Sequence, residues 1–197
     1  MNKLFGCLLF IFAFLMSCTQ KPQSQTYFDA KQQVLPDSAK VKALLSVSQG
    51  SIKEKLSAVM FIVPNEKYRL ELSGTFGLSA ASILWKKDGW KIVLPQDERY
   101  MEGEGDCIFI PVYGGVNIHE LSLLFLGQRV ETIDCKNSLS NLKLEYNDNS
   151  VSVLWNSEYT DNSRLGLEIK NIDAKAKWSD GVWNLSIPDN YIRTMGY

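Results

Sequence analysis

Residues 68–85 read YRLELSGTFGLSAASILW. Tyr68, Leu70 and Leu72 alternate with Arg69, Glu71 and Ser73, the period-two pattern of a strand with one face in a core and the other in water. The stretch from Ser73 to Ser79 (SGTFGLS) holds Gly74 and Gly77 and breaks the alternation, which marks a loop. Apolar residues then resume through Ile83, Leu84 and Trp85. Strand, loop and strand follow each other within eighteen residues, and that rhythm sets the expectation for the rest of the chain.

The same alternation returns in Trp90, Ile92 and Leu94; in Leu142, Leu144 and Tyr146; in Val151, Val153 and Trp155; in Leu165, Leu167 and Ile169; and in Trp183, Leu185 and Ile187. Asp88-Gly89 between ILWKK and WKIVL, and Asp180-Gly181 between AKAKWS and VWNLSIP, each predict a tight primed hairpin turn. Pro64-Asn65-Glu66 and Asn147-Asp148-Asn149 read as looser turns. About ten strands with short connections predict a large antiparallel meander. No fixed-period repeat is present, which argues against a solenoid or a propeller.

Helical signals are few. Tyr27 to Val34 reads as a short docking helix. Pro36-Asp37-Ser38 reads as a helix start, with Ala39, Val41, Leu44 and Leu45 as its stripe and Gly50 as its stop. Asn117 can cap a second helix, with Glu120 three residues on and Gly127 at its end. Between them Ile118, Leu121, Leu123, Leu124, Phe125 and Leu126 are apolar nearly all round, so this helix has to be covered on most sides. Packing against the concave face of the sheet accounts for that. A helix plugging a half-open barrel would also line whatever cavity remains.

The N-terminus carries a different kind of signal. Asn2-Lys3 is followed by the uncharged run Leu4 to Met16 (LFGCLLFIFAFLM). That run is shorter than the ~20 residues a spanning helix needs and fits the apolar region of a secretory signal. It ends at Leu15-Met16-Ser17-Cys18, which resembles the bacterial lipoprotein signal, where the Cys is acylated and becomes the new N-terminus. Residues 1–17 are then the signal, 18–36 a lipidated tether and 37–197 one domain. Two or more acyl chains give stable attachment at about 0.8 kcal/mol per buried CH₂, placing the domain on a periplasmic membrane face. Thr19 after the Cys, in place of Asp, favours the outer membrane.

The 197 residues include 21 Lys+Arg, 22 Asp+Glu, one His and four Cys, with a net charge of −1. Near-neutrality argues against a nucleic-acid binder. With His119 as the single histidine, no multi-imidazole metal centre can be built. Cys7 leaves with the signal and Cys18 takes the lipid, which leaves Cys107 and Cys135. In an oxidising compartment they can form a disulfide, contributing roughly 3–4 kcal/mol in the chain-entropy model; two separate buried thiols are the alternative.

Taken together, these features resemble the LolB family of outer-membrane lipoprotein receptors. The resemblance runs from about Ser38 to Ile192 and rests on the order of elements, on YRLELSGTFGLSAASILW, and on SLLFLGQ at the end of the Asn117–Gly127 helix. It implies a mainly β (α+β) fold, a half-open antiparallel β-barrel of about ten or eleven strands with short helices as lid or plug. It also implies an apolar cavity for the acyl chains of lipoproteins, received as a monomer from a soluble LolA-like periplasmic carrier and inserted into the outer membrane, with no cofactor. Related LolA carriers lack the lipid anchor, so Cys18 points to the receptor side. The family's exposed apolar loop residue matches Phe76, with Leu78 as neighbour. Leu121, Leu124 and Phe125 become candidates for the cavity or lid. The residues carry their own argument for Phe76, because a ring in a Gly-flanked turn is unfavourable in water and favourable at an interface. The alternative is that the ring folds back to close the core.

Enzyme signatures are absent: no GxSxG, P-loop or GxGxxG occurs, and the expectation is a non-enzyme without a metal. Glu102-Gly103-Glu104-Gly105-Asp106 reads as a solvated turn in preference to a calcium loop, whose ligand spacing it lacks. His119 is expected to face solvent at the helix start. A structural or assembly lipoprotein presenting a protein-binding surface on the same scaffold is the competing functional reading.

Overall fold

A computed structural model describes residues 27–28, 34–110, 114–135, 141–157 and 160–194. The signal, Cys18 and most of the tether lie outside the described residues. The proposed Tyr27–Val34 helix also lies largely outside them, and Tyr27 and Phe28 themselves are bends.

Six strands run first as a meander: β1 (Ala39–Gln49), β2 (Ile52–Val63), β3 (Lys67–Ser73), β4 (Ser79–Lys86), β5 (Gly89–Leu94) and β6 (Arg99–Gly103). A separate hairpin, β7 (Cys107–Ile110) and β8 (Gly114–Asn117), leads into helix α1 (Ile118–Phe125). Three strands follow, β9 (Asn141–Tyr146), β10 (Ser150–Ser157) and β11 (Thr160–Asp173), and β11 returns to pair with β1. A short β12 (Ile192–Arg193) closes the list. The large sheet has ten strands in the order β12-β6-β5-β4-β3-β2-β1-β11-β10-β9. All pairings in it are antiparallel except β12 with β6. Among the described residues its end strands β12 and β9 do not pair with each other, so the barrel is half-open, as expected.

One face of this sheet is apolar from strand to strand, because residues of like parity sit opposite one another. Val41 faces Met60, Met60 faces Leu70, Leu70 faces Ile83 and Ile83 faces Ile92. On the other side Leu45 faces Leu167, and Leu167 faces Val151. Their burial joins with α1 and Phe28 in a single core cluster. Each fully buried aliphatic side chain contributes about 1.5–3 kcal/mol relative to exposure.

Three sequence expectations need correction. Ala39–Gln49 is strand, not helix. Ala39, Val41, Ala43 and Leu45 are buried in alternation, and pairing on both flanks, with β2 and with β11, decides in favour of period two. The stripe Ala39, Val41, Leu44, Leu45 suits a helix only because Leu44 and Leu45 are adjacent; Leu44 in fact lies on the outer face. The second correction is the Asp180-Gly181 hairpin. Asp180–Trp183 is a 3₁₀ turn, and Trp183, Leu185 and Ile187 belong to an irregular strap over the outer face of the sheet. Trp183 is buried there, edge-on to Trp178, which in turn meets Phe61 edge-on. Arg69 holds the strap by donating from Nη1 to the carbonyls of Val182 (2.6 Å) and Asn184 (2.8 Å). Third, the β4–β5 turn is Lys87-Asp88, one residue earlier than expected. Gly89 already pairs with Lys86 at φ +138°, where a Cβ would come within 2.5 Å of the Gly103 carbonyl oxygen.

The looser turns stand where expected. Asn65 at φ 60° lies in the β2–β3 turn, and the Asn147 and Ser150 backbones bond across the β9–β10 turn.

Candidate functional site

The loop between β3 and β4 is a 3₁₀ turn, Thr75–Gly77. Its neck is pinned where the Gly74 N–H donates to the Leu78 carbonyl at 2.8 Å. Phe76 sits at φ 62°, ψ 18°, a left-handed conformation that a bulky L-residue adopts only at a conformational cost. Its ring is 96% exposed and Leu78 is 62% exposed. Ile192, 67% exposed, lies at the same end of the sheet, since β12 enters beside Arg99 at the start of β6 and β5 also ends there. This end of the sheet therefore presents three large apolar side chains to water.

Helix α1 covers the concave face. The Asn117 side chain accepts from the backbone N–H groups of His119 (3.0 Å) and Glu120 (3.2 Å), capping the first turn. The Asn117 N–H itself donates to the Ile133 carbonyl, a tertiary contact. Gly127, at φ +76°, ends the helix against Tyr27. Leu124 and Phe125 are buried and Leu121 is half-buried against the core, so the three lid candidates contribute to one packed layer.

Two polar clusters fasten this lid to the sheet. His119 does not face solvent as expected. Tyr68, buried on β3, accepts from the Asn65 N–H at 2.8 Å, and its hydroxyl is also hydrogen-bonded with His119 Nδ1 at 2.8 Å. The other ring nitrogen, Nε2, lies 3.2 Å from Asp106 Oδ1. Trp85 packs edge-on to the imidazole and donates from Nε1 to the Gly105 carbonyl at 2.9 Å. On the other flank the Tyr146 hydroxyl donates to the Val130 carbonyl and accepts from its N–H. Burial raises the Tyr146 pKa above its usual 10.0, opposed by the Val130 hydrogen bond and the Arg129 charge. Phe28 packs on the Tyr146 ring, and Arg129 Nε donates to its carbonyl.

Cys107 and Cys135 are joined as a disulfide with Cα atoms 5.9 Å apart. The bridge lies over Gly115 of β8, where a Cβ would come within 2.8 Å of Cys107 Sγ. It ties the start of β7 to the segment after α1, whose Cys135 N–H also bonds the Gly115 carbonyl.

The acidic run Glu102–Asp106 is dispersed by pairing. Glu102 lies 3.9 Å from Lys91 and 3.3 Å from Arg193, while Asp106 turns to His119. Among the described residues no three His, Cys, Asp or Glu side chains come together as a metal-binding group. The His119 and Tyr146 anchors escape sequence reading because their partners lie 51 and 16 residues away. An Asn cap followed by a lone His was the only local signal for the first.

No family model matches the sequence, and no curated protein matches it. Among solved structures, a LolA superfamily protein from Nitrosomonas europaea is similar at 9% identity and a TM-score of 0.42, over 83% of this chain and 97% of that one. A DUF1329 family protein from Desulfovibrio piger is similar at 8% identity and a TM-score of 0.42, over 76% of this chain and 90% of that one.

Proposed function

We propose that this chain is a lipid-anchored receptor of LolB type, held by an acylated Cys18 on the periplasmic face of the outer membrane. It takes lipoprotein acyl chains from a soluble carrier and passes them into the bilayer without covalent chemistry. The observation that carries this reading is Phe76, a nearly fully exposed ring on a strained turn, with Leu78 and Ile192 at the same end of the sheet. Such an end is unfavourable in water and stabilised at a lipid interface. The open sheet with an apolar concave face under α1 supplies the natural place for an acyl chain, reached by displacing the lid.

The test is Phe76→Glu, made in the acylated chain for delivery and in a Cys18→Ser chain for vesicle partition, where no acyl anchor masks the ring. Losing the ring's transfer energy, about 1.5–3 kcal/mol, should weaken partition into phosphatidylcholine vesicles roughly ten- to a hundredfold. Delivery of lipoproteins to membranes should stop while thermal unfolding stays unchanged. Unchanged delivery would remove the loop from the mechanism.

One observation favours a second reading. Ile118, Leu124 and Phe125 of α1 are buried in the same core cluster as Met60, Tyr68 and Trp85. A lid packed into the core suits an assembly lipoprotein that presents a surface to an envelope protein. Uptake of a fluorescent fatty acid by the purified chain separates the two, since only the carrier has to admit it.

A further inference from the structure

The outer face of the sheet is strongly basic although the whole chain is nearly neutral. Its described strands direct outward Lys40, Lys42, Lys53, Lys55, Lys67, Arg69, Lys86, Lys91, Lys143, Arg164 and Lys170, against Glu71, Glu102, Glu145, Glu168 and Asp173, which stands opposite Lys40. Each of the four glutamates already lies beside a cation of the same face, and Asp173 accepts from the Lys175 N–H. Among the described residues Lys53 and Lys55 form no ion pair.

The register concentrates this charge at one place. Across four adjacent strands Lys55 stands opposite Ser46, Ser46 opposite Gly166, and Gly166 opposite Ser152. In the neighbouring row Lys53 stands opposite Ser48, and Ser48 opposite Arg164. Strands lie about 4.8 Å apart, so the lysines and Arg164 flank the serines from two sides at roughly 10 Å, within reach of one shared anion. These residues, together with Val47 and the single carboxylate Glu54, line a groove of about 500 Å³. Gly166 keeps its floor open, since a Cβ there would come within 2.4 Å of Ser46 Oγ. Arg164 Nη2 is oriented by Ser152 Oγ at 3.1 Å and by Glu145 at 3.7 Å. The notch lies toward the same end of the sheet as the Phe76 turn, because β2 begins there and Leu56 is the side chain nearest Gly74.

We propose that Lys53, Lys55 and Arg164, over the hydroxyls of Ser46, Ser48 and Ser152, form a binding notch for the phosphate of an anionic lipid headgroup. Cations and hydroxyl donors arranged around a tetrahedral anion supply charge-assisted hydrogen bonds. The apolar tip enters the bilayer while the notch selects its charge. The lipid source rests on the membrane reading above; the anion site itself does not.

The experiment compares the unacylated Cys18→Ser chain, whose vesicle binding reports the domain alone, with the same chain carrying Lys53→Gln/Lys55→Gln or Phe76→Glu. Vesicles are pure phosphatidylcholine or phosphatidylcholine containing phosphatidylglycerol, and inorganic phosphate is titrated without vesicles. The unacylated parent chain should favour the phosphatidylglycerol vesicles. The double lysine variant should lose about thirtyfold of that preference, from the usual contribution of two lysines near an anionic surface, and keep its binding to pure phosphatidylcholine. Phe76→Glu should lose binding to both vesicles and still bind phosphate, so failure of the tip and failure of the notch read differently. Equal vesicle preference and phosphate binding in the unacylated parent chain and the lysine variant would overturn the notch. Phosphate binding with no preference for phosphatidylglycerol would overturn the headgroup as its ligand.

Discussion

Phe76 combines two features that a stability-driven sequence avoids, a bulky ring in solvent and a left-handed backbone. A non-glycine residue held in that region costs on the order of 1 kcal/mol. Glycine adopts the same φ without a Cβ clash, and the ring makes too little contact for its removal to leave a cavity. Phe76→Gly should therefore raise unfolding stability by up to ~1 kcal/mol in urea titration and at the same time weaken vesicle binding at least tenfold. Opposite signs in the two measurements are what a residue kept for an interface requires. A drop in stability would mean that the ring packs on the domain after all. His119 teaches the reverse lesson at the same scale. A lone histidine beside a helix cap offers no pattern, and only the fold brings Tyr68 and Asp106 to its two nitrogens.

Among the elements, the outer strap is held by two cations of β3, Lys67 over the Trp183 ring at 4.7 Å and Arg69 by hydrogen bonds. Arg69 spans the Val182 and Asn184 carbonyls while its Nε pairs with Glu71, which Ser82 also contacts. Hydrogen bonds to a charged group contribute about 1.5–3 kcal/mol each way they are lost. Arg69→Ala should thus raise the open population of the strap roughly ten- to a hundredfold. Trypsin cleavage after the exposed Lys175 and Lys177 checks this, together with faster hydrogen exchange at Ile192 and Thr194, whose amides bond Glu98 and Tyr100. Exchange in β1 and β2 should not change. The strap also shows where sequence patterns run out. Trp183, Leu185 and Ile187 alternate as a strand would, yet the carbonyls of the intervening Val182 and Asn184 accept from Arg69 in place of a ladder partner. In β1 the error runs the other way, because the adjacent Leu44 and Leu45 allow a helical stripe until pairing with β2 and β11 decides. Alternation served well for β3, β5 and β9 to β11, where one polar and one apolar residue leave a single choice of period. The α1 cap was readable because Asn117 and Gly127 act through local backbone geometry.

For the whole molecule, the question is what keeps a lid on a sheet whose edges never meet. The His119 cluster and the Tyr146 hydroxyl hold its two flanks by hydrogen bonds, and the Cys107–Cys135 bridge is the one covalent tie among the described residues. The bridge closes a loop with a sequence separation of 28 that contains β8 and α1. In the chain-entropy model a loop of that size contributes about 3.5 kcal/mol by restricting the unfolded chain. Replacing both cysteines by serine should lower unfolding stability by about that amount. The long sheet draws its core from cross-strand pairs such as Val41 with Met60 and Leu45 with Leu167, none of which the bridge touches. Amide exchange should therefore accelerate first in β7, β8 and α1, with the β1, β2 and β11 ladder remaining protected. If the carrier reading holds, the same loosening should speed uptake of a fluorescent fatty acid, because Ile118, Leu124 and Phe125 must leave the concave face to admit it. Uniform loss of protection across β1 and α1 would show instead that lid and sheet unfold as one unit, and a chain that opens only by unfolding cannot act as a carrier.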